Sequence, residues 1–152
     1  MLIGVISDTH GLLRPEALNA LRGSAMIIHA GDVGKPAILE QLRGIGPVVA
    51  VRGNIDRQPW AARLPESTLV TVDGQKIFIV HDLSQFTISS APAGLAAVVF
   101  GHSHKPSIEK RDGILYLNPG SAGPRRFRLP ITLARLTATR AALRPEIIPL
   151  QV

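Results

Sequence analysis

With 152 residues, 45% of them hydrophobic, the chain is sized for one globular domain over residues 1–152, with one core rather than two. The absence of cysteine excludes disulfides, thiolate metal sites and a cysteine nucleophile. A formal charge of +6, from 17 Lys and Arg against 11 Asp and Glu, favours anionic partners, but the basic residues are scattered apart from Arg125, Arg126 and Arg128, which argues against a nucleic-acid polymer.

Met1 to Ile6 reads as a buried strand feeding a polar loop, SDTHG. It is too short, and lacks the basic start, for a signal peptide, and no stretch of the chain is long enough for a membrane span. A soluble, cytoplasmic protein is therefore expected, with a homo-oligomer left open. Pro15 to Leu21 carries apolar residues at helical spacing behind a proline suited to a first turn. Ala25 to His29 is a second strand ending at Ala30-Gly31-Asp32. Pro36 to Leu42 is a second short helix, and Val48 to Arg52 a third strand ending at Gly53-Asn54. This repeated strand, loop, helix order is the signature of a parallel sheet.

The second half changes character. Ser67 to Val72 and Gln75 to His81 flank Asp73-Gly74, a strong hairpin signal. Residues 83 to 95 support only a short helix or loop. Ala96 to Phe100 is a strand leading into Gly101-His102-Ser103-His104, and Asp112-Gly113 marks a second hairpin between Ser107 to Lys110 and Ile114 to Asn118. Ile131 to Ala138 and Ala142 to Leu150 read most simply as a closing antiparallel pair, with a helix over residues 131 to 144 as the alternative. The fold class is mixed α/β.

The metal-capable residues fall at the predicted strand ends: Asp8 and His10, Asp32, Asn54, His81, then His102 and His104. In open α/β sheets, ligands bind outside the carboxyl ends of the strands, so these loops can meet in one cleft. Carboxylates with this many imidazoles suit Mn²⁺, Fe²⁺, Ni²⁺ or Zn²⁺ rather than an all-oxygen Ca²⁺ or Mg²⁺ site. Two ions about 3.5–4 Å apart can hold a phosphoester and activate a water between them, so no Ser or Cys nucleophile is required. His29 reads as structural, and Asp56 as a cap or turn acceptor.

SDTHG from Ser7, HAGD from His29, RGNID from Arg52, His81, GHSHKP from Gly101 and NPGS from Asn118 together resemble the calcineurin-like metallophosphoesterase superfamily. Within it they look like the small single-domain phosphodiesterases of bacteria and archaea, which are related to a retromer subunit of eukaryotes. The resemblance spans essentially the whole chain. It implies a four-layer α/β/β/α sandwich of two mixed β-sheets flanked by helices. It also implies two divalent ions, usually Mn²⁺ with Ni²⁺, Fe²⁺ or Zn²⁺ substituting. One ion would take Asp8, His10, Asp32 and His104, and the other Asp32, Asn54, His81 and His102, with Asp32 bridging. Asp32, Asn54, His81 and His102 form the expected catalytic set, acting through a metal-bridging hydroxide on a small phosphodiester. The alternatives are a phosphomonoesterase, or a non-catalytic binding module on the same scaffold, for which loss of ligands would be the mark. Two departures stand out. Ile55 occupies the place where larger members carry a His that helps the leaving group, and His81-Asp82-Leu83 replaces the branch's His-Gly-His.

Overall fold

A computed structural model describes all 152 residues. The first sheet has the order β10-β9-β1-β2-β3. Its strands β1 (Leu2–Ile6), β2 (Met26–His29) and β3 (Val48–Ala50) run parallel, linked by helices α1 (Pro15–Leu21) and α2 (Pro36–Arg43). The C-terminal segment joins this sheet as the antiparallel pair β9 (Thr132–Ala138) and β10 (Leu143–Pro149), with β9 antiparallel to β1. The closing pair is therefore strand, not helix; Ala134, Leu136 and Ala138 alternate onto the face between the sheets, while Leu133 turns to the helix-covered face.

The second sheet has the order β4-β5-β6-β8-β7. Both predicted hairpins are present: β4 (Ser67–Val72) with β5 (Gln75–Val80), and β7 (Ser107–Arg111) with β8 (Ile114–Asn118). Between them lies β6 (Leu95–Val99), parallel to both β5 and β8. At the turns, Asp73 and Gly74 have φ of 49° and 80°, and Asp112 and Gly113 have φ of 51° and 79°, the left-handed pair a tight hairpin needs.

The period-two pattern sorts the side chains into layers. Ile3 and Val5 of β1, Ile28 of β2, Ile77 and Ile79 of β5, Val99 of β6 and Leu117 of β8 meet between the sheets. The opposite face of the first sheet, with Ile6, Ile27 and Leu133, is covered by Ala17 and Leu21 of α1 and by Ile38, Leu39 and Leu42 of α2. Both helices start with proline and are only seven and eight residues long, too short to persist alone, so this burial holds them. The outer face of the second sheet presents Phe78, Val80, Val98 and Tyr116. Its cover is thin: 3₁₀ turns at Leu83–Gln85 and Ile88–Ser90 bring Leu83, Phe86 and Ala91 over it. The result is four layers, with the fourth reduced to turns. A further 3₁₀ turn, Pro59–Arg63, which the sequence pattern does not announce, packs Trp60 and buried Ala61 on the first sheet's side of the molecule. No helix is long and apolar enough to cross a membrane.

Candidate metal centre

The parallel strands of both sheets deliver their carboxyl ends to one edge of the sandwich. Asp8 and His10 follow β1, Asp32 follows β2 and Asn54 lies beyond β3. His81 follows β5, and His102 and His104 follow β6. The backbone there is unusual. Asp8, His10, Asp32, His102 and His104 have φ of 56°, 47°, 54°, 75° and 63°, in the left-handed region that side-chain-bearing residues seldom enter. Backbone of this kind persists when the surrounding structure over-determines it, and it gathers at functional sites.

Ionic contacts converge on Asp8 and Asp32. Asp32 Oδ2 lies 3.3 Å from His10 Nε2 and 3.3 Å from His81 Nε2. Asp8 Oδ1 lies 3.3 Å from His104 Nε2, 3.8 Å from His10 Nε2 and 3.9 Å from His81 Nε2. Two groups of side chains, Asp8 with His10 and His104, and Asp8 with Asp32 and His81, each bring their ligand atoms within 4.8 Å of one another. His102 and Asn54 flank these groups. The His102 ring stands edge-on to His81 at 5.2 Å, and Asn54 Oδ1 lies 3.2 Å from His81 Nε2.

Neighbouring groups set the direction of each ligand. His81 Nδ1–H donates to the Ala30 carbonyl oxygen at 2.7 Å, which leaves the Nε2 lone pair facing the carboxylates. Asp8 Oδ2 accepts from the Ser7 hydroxyl at 2.7 Å and from the His102 N–H at 3.1 Å. Asp32 Oδ1 accepts from the Ile55 N–H at 3.1 Å. In each carboxylate one oxygen is tied down and the other is aimed at the imidazoles.

The donor set fits cations. Asp8 Oδ1 and His10 Nε2 are buried atoms without a hydrogen-bond partner, and they face each other. Buried polar atoms of this kind are costly unless something compensates them. With the Asn54 oxygen inward, its neighbours are carboxylate oxygens and an imidazole lone pair, an all-acceptor arrangement that a cation satisfies; with the amide turned over, the nitrogen reaches Asp32 Oδ1 and Oδ2 at 3.3 and 3.2 Å. Burial raises the Asp8 carboxyl, but His10, His104 and Ser7 outweigh it and hold the group well below the usual carboxylate range. Burial likewise raises Asp32, and His10 and His81 hold it well below that range. In return Asp32, then Asp8, lift His10 to about 9. Burial depresses His81, yet Asp32 and Asp8 bring it above its ordinary value. Two ionised carboxylates in a dry site demand positive charge, as protons on imidazole or as metal ions.

Two residues outside the ligand set shape this centre. His29 is fully buried; Nδ1 accepts the Gly31 N–H at 3.1 Å, so its protonated Nε2 donates to Thr9 Oγ1 at 3.0 Å, and Thr9 Oγ1 donates to the Val33 carbonyl at 2.8 Å. This chain of bonds fastens the Asp8–His10 loop to the Asp32 loop. Asp56 accepts the N–H groups of Val33 at 3.1 Å, Gly34 at 3.0 Å and Gly53 at 2.9 Å, so it joins the Asp32 loop to the Asn54 loop. Both tie loops together, and their distant partners, Thr9 for His29 and Val33 and Gly34 for Asp56, are not legible in the sequence because they are close only in space. Gly53 is required by proximity: a Cβ there would run into the Asp32 carboxylate, 2.7 Å from its Cγ.

Residues 1–141 match the calcineurin-like phosphoesterase superfamily domain. The chain is 37% identical over 133 residues to a "Probable metallophosphoesterase" of Methanothermobacter thermautotrophicus, covering 80% of this chain and 77% of that protein. It is 29% identical over 139 residues to a phosphodiesterase of Methanocaldococcus jannaschii, covering 79% and 83% of the two chains. Among solved structures, Vps29 of Chaetomium thermophilum shares the fold, with a TM-score of 0.82 at 22% identity over 99% of this chain and 89% of that one. Loops bearing the candidate ligands on two face-to-face sheets and a match over nearly the whole sequence lead to one assignment: the chain belongs to the calcineurin-like phosphoesterase superfamily, in the branch that holds the small phosphodiesterases of archaea and bacteria.

Proposed function

We propose that the protein is a metal-dependent phosphodiesterase acting on a small phosphodiester. The observation that carries this reading is the position of Asp32 Oδ2, equally 3.3 Å from His10 and His81, beside an unpartnered Asp8 Oδ1. Such a carboxylate is placed to serve two ions at once. One ion falls to Asp8, His10, Asp32 and His104, the other to Asp32, Asn54, His81 and His102. Mn²⁺ is the proposed metal. Bound ions supply Lewis-acid polarisation of the phosphoryl group and lower the pKa of a water held between them.

The chain's own residues supply the rest. Asp8 and Asp32 stay ionised across the physiological range, so both carboxylates are ready to bind cations, while His10 and His81 must release protons to do so. The Ala30 carbonyl fixes the His81 tautomer, and the Ile55 and His102 N–H groups stop the two carboxylates from rotating. No proton donor stands at position 55, so substrates whose leaving alcohol departs without protonation are favoured.

The test is a rate comparison across cyclic nucleotides, linear diesters and monoesters with Mn²⁺ supplied. Diesters turned over faster than monoesters support the reading. A clear preference for monoesters would move the protein to the phosphatases, and no turnover of any ester by a metal-replete sample would leave a binding module on this scaffold.

A further inference from the structure

The metal-side cavity, about 130 Å³, is lined by Arg52, Asn54, Glu66, His81, Asp82 and His102 among others. It continues into a larger groove of about 480 Å³ that shares Arg52, Gly53, Asn54 and Glu66 with it and adds Arg57 and Gln58. A diester centred on the metals has two substituents, and this groove is where one of them can lie.

Its lining carries two guanidinium groups, Arg52 and Arg57, and two carboxylates, Asp56 and Glu66. Arg57 is exposed, and its Nε donates to the Asn54 carbonyl at 2.9 Å. That bond orients the guanidinium while leaving its Nη groups free for a ligand. Arg52 lines the same groove and has a 3.4 Å contact to Glu66. Of the groove's two carboxylates, Asp56 is buried and occupied by its three backbone N–H groups. Glu66 is 70% exposed and free to swing away from Arg52. Six of the nine lining residues carry polar or charged side chains, and Pro59 and Ala62 are the apolar ones. Two guanidinium forks lining one open groove match the oxygens of a phosphate group.

We propose that the physiological diester carries a second phosphate on one of its alcohol substituents, and that Arg52 and Arg57 hold this phosphate in the groove beside Asn54. The inference rests on the phosphodiesterase reading above and names the substrate class for it. The chemistry is unchanged: water oxygen bonds to phosphorus after giving up a proton to solvent, one P–O ester bond breaks, and the leaving oxygen departs as an anion that solvent protonates. The second phosphate only positions the scissile one.

Two chromogenic substrates test this with the Mn²⁺-loaded protein: thymidine 5′-(p-nitrophenyl phosphate) and the same compound bearing a 3′-phosphate. The 3′-phosphorylated ester should have a kcat/KM higher by about tenfold, as expected of a charge-assisted fork. That ratio should collapse toward one in Arg57→Ala and be partly restored in Arg57→Lys, which keeps the charge and loses the fork. A ratio near one in the unmodified protein overturns the proposal. So does an Arg57→Ala variant that slows both esters alike, because the arginine then acts only by holding the Asn54 loop. If neither ester is cleaved, the hydrolytic reading has failed, and calorimetric binding of thymidine 3′,5′-bisphosphate against thymidine 5′-monophosphate decides the groove separately: equal affinities overturn it, and a preference for the bisphosphate that Arg57→Ala abolishes sustains it.

Discussion

The Ile55 N–H donates to Asp32 Oδ1 at 3.1 Å, so the residue that cannot offer a side-chain proton to the substrate nevertheless orients the central carboxylate through its backbone. This separates two duties that one position can hold. Ile55→His keeps the backbone bond and adds an acid. The variant should gain more on phenyl esters than on p-nitrophenyl esters, since only the poorer leaving group needs protonation. Equal gains, or none, in kcat for both esters would show that position 55 does not face the departing oxygen.

Asp32→Ala removes the oxygen that lies equally close to His10 and His81. Elemental analysis of the dialysed variant should show both ions depleted, and hydrolysis should fall to background. His102→Ala should instead lose one ion selectively, because His104, His10 and Asp8 form a group to which His102 contributes no ligand atom. Full occupancy in either variant contradicts the ligand assignment.

Gly53→Ala places a methyl group against the Asp32 carboxylate. Overpacking of this kind costs about 1–3 kcal/mol. The larger consequence is displacement of Asp32, so metal affinity should drop further than the melting temperature does. Calorimetric titration with Mn²⁺ alongside thermal unfolding of the chelated protein measures both.

Burial pushes His29 down from an ordinary 6.5 to about 4. The folded state therefore keeps it neutral while the unfolded chain takes up a proton as the pH falls through 6.5. The stabilising contribution is fully present above pH 6.5 and is lost progressively between 6.5 and 4, on the order of 3 kcal/mol in all. Urea unfolding of chelated protein across that range should show the wild type losing stability faster than His29→Gln, whatever the offset between them. Parallel profiles would mean that His29 titrates normally in the fold.

Much of this architecture is legible from local pattern. The strand-loop-helix order gives the parallel half, and the Asp-Gly pairs at 73–74 and 112–113 give both hairpins because their left-handed turns depend only on neighbouring residues. The strand ends collect all seven candidate ligands. What escaped were arrangements decided through space. The 3₁₀ turn at Pro59–Arg63 is held by burial of Ala61, not by periodicity. The turns covering the second sheet are too short to carry a helical repeat. Asp56 reads as a turn acceptor, and nothing in RGNID reveals that it also reaches Val33 and Gly34.

The seven candidate ligands are divided between the sheets: Asp8, His10, Asp32 and Asn54 hang from the first, and His81, His102 and His104 from the second. A cation pair held by all seven is thus a rivet driven through the seam between two half-molecules. Binding at the seam and docking of the halves are then reciprocally coupled. Shaving a methyl group from Ile28 or Ile79, deep between the sheets, should weaken the grip on metal as far as it loosens the seam. Loading metal, in turn, slows hydrogen exchange in strands on both sides of the seam together.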